Sequence, residues 1–330
     1  MDGAHSGRHA IILNMRSRVL LAALGALLLT LLAAGQQTPP AQPPVSTPQG
    51  EQPTHISVDV TRVSMAYSVT DKKGRFVTGL AREDFEVLEN GRPQAIQEFT
   101  AEPSLPLRVA VLIDTSNSIR DRFKFEQEAA SQFLNEILRS NADKAMVVSF
   151  DSNAEIVCNL TDSTDKLSAA ILGLRPGGGT SMYDAIRFAS QKLAEEQPSY
   201  QFRRIMVIVS DGDDNQSRGT RDQALEAVQV ADTFIYAIST NNLTQGDTDG
   251  DKVLKYFTSQ TGGKAYFPFK LEDLAQSFDI IAEEVRHQYN IVYRPENPIA
   301  DGLFHRVEIR VRGHKEVSVR ARSGYYARKS

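Results

Sequence analysis

Residues 108–118 read RVAVLIDTSNS, in which an apolar run leads directly into carboxylate and hydroxyl side chains. An uninterrupted run of this kind is typical of a strand buried on both faces, as in a parallel sheet covered by helices. The apolar run at 205–209 behaves in the same way, because Ser210, Asp211 and Gly212 follow it directly. Two such strands predict a parallel sheet that carries polar side chains along one edge.

Strand and helix patterns alternate between residues 105 and 287. This alternation predicts an α/β domain with a doubly wound, mostly parallel, Rossmann-like sheet. The strand predicted at 155–160 follows its neighbour after a short turn, so we expect it to be an antiparallel edge strand. The other predicted strands are 145–150, 234–238 and 264–267, and the predicted helices are 121–139, 165–172, 182–195, 220–230, 252–261 and 271–286.

The segments on either side of this region, 55–104 and 288–330, have the alternating pattern of antiparallel strands. Asn90-Gly91 in the first segment is a strong signal for a hairpin turn. Each segment is too short to bury a core of its own. We therefore predict that they pair into one smaller antiparallel β-sandwich, and that the α/β domain, 105–287, is inserted between its strands.

The N-terminal residues have the composition of an export signal. Two basic residues, Arg16 and Arg18, precede an apolar run at 19–34 that ends in small residues. This pattern predicts a secretory signal peptide over 1–35, cleaved near Gly35. The alternative is an uncleaved membrane anchor, since the run is only slightly shorter than a membrane-spanning helix.

A linker follows the signal segment. Residues 36–54 are rich in Pro and Gln and predict an extended tether. Met15 is a better start than Met1, because it stands directly before the basic residues. These features predict a secreted or periplasmic protein that contacts the membrane only if the signal segment stays uncleaved.

The composition excludes several classes of protein. The 330 residues carry a formal net charge of −4, unlike a dedicated nucleic-acid binder, so we predict no nucleic-acid partner. The single cysteine, Cys158, excludes an intramolecular disulfide and a cysteine-based zinc cluster. The six histidines are not spaced as ligands of one metal ion, which leaves carboxylate and hydroxyl oxygens as candidate donors.

Three polar clusters, 114–118, 177–184 and 210–213, follow buried strands or open a helix. In an open parallel sheet, ligands bind beyond the carboxyl ends of the strands, so we expect the three clusters to meet there. The Asp-x-Ser-x-Ser pattern of the first cluster alone also fits an ordinary turn or helix cap. Together, the oxygens of the three clusters suit Mg²⁺, or else Mn²⁺ or Ca²⁺, with one coordination position left open. The candidate ligands are Asp114, Ser116, Ser118, Thr180 and Asp211.

With all three clusters present, the region 106–287 resembles a von Willebrand factor A domain with a complete metal-ion-dependent adhesion site. The resemblance implies that the five candidate ligands form the metal set, and that the chain is an adhesion or interaction protein. Two flanking stretches, 77–87 and 320–326, are similar to exported bacterial proteins of the VWFA-related acidobacterial type.

Other acidic residues surround the candidate set. Asp184 and Asp213 are candidates for a second layer around the metal; we expect Asp184 to order the Thr180 loop by hydrogen bonding and Asp213 to be exposed. The acidic stretch 247–251 resembles half of a calcium-binding loop, but position twelve is Thr258 instead of glutamate. We therefore interpret that stretch as a solvated loop.

Two functions fit these residues. In the first, the open position of the metal accepts a carboxylate from an Asp or Glu of a partner protein, and the chain is a binding module without catalytic residues. In the second, the chain is a metal-dependent hydrolase of an ester or phosphate, which needs a base beside the metal. We favour the first, because no histidine lies near the three clusters in sequence. The folded position of the histidines, the lysines and Cys158 tests this preference.

Overall fold

The computed structural model describes residues 62–101, 105–119, 122–198, 200–241, 248–296, 301–314 and 316–327. The predicted signal peptide, 1–35, and the predicted linker, 36–54, lie outside the described residues, as do residues 55–61 of the first β segment.

The described chain forms strands at both ends and alternates strands with helices in between. The strands are β1 Val63–Asp71, β2 Phe85–Glu89, β3 Arg92–Gln94, β4 Ile96–Thr100, β5 Leu107–Asp114, β6 Lys144–Phe150, β7 Ala154–Thr161, β8 Arg203–Ser210, β9 Thr233–Ser239, β10 Ala265–Tyr266, β11 Tyr289–Tyr293, β12 Phe304–Val311, β13 Val317–Ala321 and β14 Gly324–Tyr326. The α-helices are α1 Phe123–Ile137, α2 Thr164–Gly173, α3 Met182–Glu195, α4 Arg221–Val230, α5 Asp249–Thr261 and α6 Leu271–Glu284.

The central sheet has the strand order β10-β9-β8-β5-β6-β7. β5 pairs in parallel with β6 and β8, whereas β7 is antiparallel to β6 at the edge. Val109, Val111 and Ile113 of β5 pack in one core with α1, α2 and α6. Ala110 and Leu112 pack in a second core with α3, α4 and α5, so helices cover both faces of the sheet. The predicted doubly wound sheet and its antiparallel edge strand are confirmed.

The two flanking segments form a pair of four-stranded sheets, β13-β1-β11-β4 and β14-β12-β2-β3. β1 pairs with β11 and β13, and β2 pairs with β12, all antiparallel, so each sheet joins strands from both ends of the chain. The aromatic rings of Tyr67 and Phe85 meet between the sheets with centroids 5.1 Å apart, and Tyr289 joins them. The predicted sandwich around an inserted α/β region is therefore confirmed.

The hairpin between β2 and β3 turns at the predicted dipeptide. Asn90 and Gly91 both have left-handed backbone angles, with φ of 48° and 78°, as a two-residue hairpin turn requires. The last strand, β14, was not predicted, because three residues are too few to show an alternating pattern.

The sandwich joins the central sheet at the amino ends of the parallel strands. Arg286, just after α6, donates hydrogen bonds to the carbonyl of Leu105 at 3.4 Å and to Asp143 at 2.5 Å. Asp143 is fully buried and also accepts a 2.7 Å bond from the backbone N–H of Leu107, the first residue of β5. Asp114, at the other end of β5, lies about 23 Å away along an extended strand. The sandwich therefore lies at the amino ends of the parallel strands, and the polar loops lie at their carboxyl ends.

A buried ion pair reinforces this junction. Glu284 of α6 is 1% exposed and pairs with Arg320 of β13. The hydroxyls of Tyr236 and Tyr266 donate to the same carboxylate, both at 3.2 Å, from β9 and β10. One carboxylate thus connects α6, the central sheet and the sandwich.

Among the described helices, none is long and apolar enough to cross a bilayer. The predicted domain limits, 55–104, 105–287 and 288–330, stay a prediction.

Candidate metal centre

Asp114 lies at the carboxyl end of β5, beside the end of β8. The two strands are parallel neighbours, which places Asp114 next to Ser210. The hydroxyl of Ser210 donates to Oδ2 of Asp114 at 2.6 Å, and the backbone N–H of Ser116 donates to Oδ1 at 2.8 Å. Both oxygens of this fully buried carboxylate are therefore held in place. Ser210 belongs to a predicted polar cluster, but its role beside Asp114 was not predicted.

A chain of hydroxyls connects Asp114 to the second carboxylate of the set. The hydroxyls of Ser116 and Ser118 lie 2.9 Å apart, and Ser118 donates to Oδ2 of Asp211 at 2.7 Å. Asp211 is 93 residues beyond Ser118 in sequence and follows β8 directly. Four of the candidate ligands are thus brought together across two strand ends.

The third loop, which carries Thr180, is bonded to both of the others. The backbone N–H of Gly177 donates to the carbonyl of Thr115 at 2.6 Å. The backbone N–H of Thr180 donates to Oδ1 of Asn215 at 3.0 Å, and its carbonyl accepts from the N–H groups of Asn215 and Gln216. Thr180 is buried between these loops, and its hydroxyl as a ligand stays a prediction.

The first turn of α5 packs against the loop that carries Asp211. Asn241 donates to the carbonyl of Asp211 at 2.7 Å and to Asp251 at 2.9 Å. Gly250 packs so closely that a Cβ added to it would overlap the carbonyl oxygen of Asp211. Only glycine fits this contact. The loop that carries Asp211 is therefore built on α5 as well as on β8.

The prediction of a solvated loop at 247–251 is wrong for the described part. The Thr248 hydroxyl caps α5 by accepting from the backbone N–H of Asp251 at 3.0 Å, and the Asp251 carboxylate accepts in turn from the backbone N–H of Thr248. Asp251 is fully buried and accepts a 2.7 Å bond from Ser239. The Thr-x-x-Asp spacing is that of a reciprocal helix cap, which was the missed signal in the sequence.

The two candidates for a second layer occupy different positions. The Asp184 carboxylate accepts from the N–H groups of Arg218 and Gly219 at 2.8 and 3.1 Å, and pairs with Arg187 at 3.2 Å. It therefore orders the loop after Asp211 rather than bonding the Thr180 loop itself. Asp213 is exposed, as predicted, and its backbone N–H donates to Asp211 at 3.1 Å.

A third carboxyl group near the centre, Glu126 of α1, was not predicted. It is 2% exposed, and neither of its carboxyl oxygens has a hydrogen-bond partner among the described residues. Burial, with the charges of Asp114 and Asp211, raises the pKa of Glu126 to about 8, against a smaller opposing effect of Arg122. Its position on the buried face of α1, three residues after Phe123, was the available signal.

Burial also raises the pKa of Asp114, to about 6, although the bonds from Ser210 and Ser116 oppose this shift. Among the described residues, Arg122 is the cation that opposes the raised pKa of Glu126, and its effect is smaller than that of burial. A bound divalent cation would favour the ionised forms of both buried carboxyl groups. Among the described residues, no three Asp, Glu, His or Cys side chains are close enough together to hold one ion. A cation at this centre therefore depends on the serine and threonine oxygens as well as on carboxylates, and the donor set fits a hard divalent ion.

The described histidines are remote from these loops in the fold. His305 lies in β12, where it contacts Glu89 at 2.9 Å, and His314 follows the same strand. His287 follows α6, at the sandwich junction. Cys158 lies in the edge strand β7. Within the described residues, neither the histidines nor the cysteine belong to the three loops of the candidate centre.

Part of the chain matches a known protein family. Residues 109–213 match the family described as von Willebrand factor type A domain, and this range includes all five candidate ligands. No curated protein matches the chain.

Several solved structures are similar to part of the chain. The PilB minor pilin from Streptococcus sanguinis is 16% identical over 59% of this chain and 64% of the pilin, with a TM-score of 0.46. This chain thus spans slightly less than two thirds of the pilin's length. The vWF domain of the type V pili tip protein Mfa5 from Porphyromonas gingivalis is 14% identical over 55% of this chain and 95% of that domain, with a TM-score of 0.45. Proximal thread matrix protein 1 from the mussel byssus, solved with a zinc-occupied MIDAS motif, is 14% identical over 60% of this chain and 49% of that protein, with a TM-score of 0.45.

Proposed function

We propose that this protein is an exported binding module that uses a divalent metal ion to hold a carboxylate of a partner protein. The observation that carries the proposal is the continuous hydrogen-bonded path from Asp114 through Ser116 and Ser118 to Asp211. It joins the ends of two parallel strands, where ligands bind in open α/β sheets. The match of residues 109–213 to the von Willebrand factor type A family supports the same function.

The ion is held by oxygen ligands with few negative charges. Asp114, Ser116, Ser118, Thr180 and Asp211 form the ligand set, and Mg²⁺ is the preferred ion, with Mn²⁺ and Ca²⁺ as alternatives. Only two of the five ligands are carboxylates, the hydroxyls add no charge, and one coordination position of the ion stays open to a further negative ligand. When bound, the ion therefore supplies a positive end that attracts an Asp or Glu side chain of the partner.

The protein's own residues keep the two serines and the two aspartates in place for this task. Ser210 fixes one carboxylate, and the first turn of α5 fixes the loop of the other. Because the sandwich lies at the opposite edge of the central sheet, it does not cover the centre. The predicted signal segment supports a location of this binding surface outside the cytoplasm, and we propose neither a catalytic residue nor a nucleic-acid partner.

The experiment that tests this function uses the chain from Gln36 onward, as wild type and as Asp114→Asn and Asp211→Asn variants. We expect calorimetry with MgCl₂ or MnCl₂ to show binding by the wild type and none by the variants, while all three stay folded by circular dichroism. Pull-downs from the native extracellular fraction should retain partners with Mg²⁺ and lose them with EDTA. Equal metal affinity in all three proteins would overturn the assignment of the metal set.

A further inference from the structure

Glu126 occupies a position where a carboxyl group is costly. It lies in the first turn of α1, on the face that buries Phe123 and Ala130. The side chain is 2% exposed, and both carboxyl oxygens lack a hydrogen-bond partner among the described residues. A buried polar group without a partner destabilises the folded state, and an apolar side chain would fit the helix pattern better.

Among the described residues, the groups around Glu126 do not compensate for this cost. The charged groups that act on it are Asp114 and Asp211, which repel a carboxylate, and Arg122, which attracts it. Arg122 directs its guanidinium to backbone carbonyls, donating to Thr240 at 3.0 Å. Glu126 thus interacts electrostatically with both carboxylates of the candidate centre and has no hydrogen-bond partner within the described part of the chain.

We propose that Glu126 is a third, outer carboxylate of the metal centre, which stabilises the bound divalent ion by its charge without contacting it. This inference rests on the proposed metal-binding function. It accounts for an otherwise unfavourable residue, because the ion adds positive charge to the small favourable effect of Arg122. An outer position agrees with the absence, among the described side chains, of three acidic groups close enough to share one ion.

The proposal predicts effects of opposite sign on metal affinity and on metal-free stability. Replacing Glu126 by Gln removes the charge and keeps the shape. We expect the dissociation constant for Mg²⁺ to rise about 10- to 100-fold, the usual effect of removing an outer partner of a metal site. The metal-free protein should melt at a higher temperature, because an amide is less costly to bury than a carboxyl group that ionises when unfolded.

Calorimetric titration with MgCl₂ and thermal melting with EDTA test this on the chain from Gln36 onward. Glu128→Gln is the matched control, because Glu128 is exposed on the same helix, and it should change neither quantity. Glu126→Asp keeps the charge and should bind Mg²⁺ more tightly than Glu126→Gln, even though the shorter side chain packs less well. This order separates charge from packing.

The outcomes distinguish the two proposals. Equal Mg²⁺ affinity in the wild type and Glu126→Gln overturns the role of Glu126 and leaves the proposed function intact. No Mg²⁺ binding by the wild type overturns both. A lower metal-free melting temperature in Glu126→Gln, together with unchanged affinity, makes Glu126 a structural residue only.

Discussion

The hydroxyl of Ser210 donates a 2.6 Å hydrogen bond to Oδ2 of Asp114, and so connects the last residues of β8 and β5. The same hydroxyl accepts a bond from the backbone N–H of Gly212 at 3.0 Å. Ser210 is fully buried, and it therefore orients both the carboxylate of Asp114 and the loop that carries Asp211.

Replacing Ser210 by Ala should weaken Mg²⁺ binding about 10-fold, because Asp114 loses the donor that holds it. It should also lower the free energy of unfolding by about 1–3 kcal/mol, the cost of leaving a buried acceptor less satisfied. Calorimetry and urea unfolding measure the two effects. Ser259→Ala, at an exposed site on α5, is the control. Unchanged affinity in Ser210→Ala would show that Ser210 does not position Asp114.

A second prediction concerns the contact between α5 and the Asp211 loop. Gly250→Ala places a Cβ against the carbonyl of Asp211, so the loop must move. We expect a lower melting temperature and at least 10-fold weaker Mg²⁺ binding. Gly173→Ala is the matched control, since a Cβ there meets no atom within 4 Å. If Gly250→Ala bound Mg²⁺ like the wild type, the support from α5 would not matter for the site.

The metal-free protein should respond to pH through Glu126. Burial raises the pKa of this group from 4.5 to about 8, so the folded state binds a proton that the unfolded state releases. The resulting stability is complete below the unfolded pKa and is lost as pH rises towards about 8. Relative to Glu126→Gln, the wild type should therefore become progressively less stable between about pH 5 and about pH 8 in urea unfolding with EDTA. A constant difference over that range would contradict the raised pKa.

Removing one partner of the buried pair of Arg320 and Glu284 should strongly destabilise the protein. Arg320→Ala leaves Glu284 buried without its cation and should cost about 3–5 kcal/mol in urea unfolding. The double variant Arg320→Ala, Glu284→Gln should recover part of this loss. The exposed pair of Arg310 and Glu308 provides the comparison, and Arg310→Ala should destabilise the protein much less than Arg320→Ala. Equal losses at the two pairs would show that burial of Glu284 is unimportant.

A fifth prediction concerns the sandwich. Burial lowers the pKa of His305, but hydrogen bonds with Glu89 and Asp301 outweigh burial and raise the pKa above 6.5. The stability that protonated His305 provides is complete below that value and lost as pH rises through the folded pKa. His305→Gln should therefore be more destabilising at about pH 5.5 than at about pH 8.5. Urea unfolding at the two values checks the difference, and the same loss at both would contradict it.

The fold was predictable where one pattern decides it. The apolar runs of β5 and β8 can only be buried on both faces, so they fix a parallel sheet covered by helices. The boundaries were less certain: α5 begins at Asp249 rather than at 252, because the Thr248 cap adds a first turn. Strands as short as β14 depend on their partner strand and not on their own sequence.

The candidate site was predictable in composition but not in its contacts. Strand ends identify Asp114 and Asp211 as neighbours, since parallel strands share an edge. The bond from Ser118 to Asp211 spans 93 residues, and no local spacing reports it. Glu126 was missed for another reason: a single acidic residue on an apolar helix face gives no sign of which groups lie opposite. Tertiary packing supplies that information.

The opposite placement of the candidate centre and the sandwich has a mechanical consequence. A partner that pulls at the Asp114 edge, while the chain is held through β1, puts the molecule under tension along β5. The chain connects the central sheet to the sandwich twice, between β4 and β5 and between α6 and β11, and the force passes through both connections. The bonds of Arg286 to Leu105 and Asp143 hold the two connections together. Because β1 lies between β11 and β13, its ladder is loaded in shear, with many hydrogen bonds resisting at once. A load applied in this way is therefore shared by the hydrogen bonds on both sides of β1.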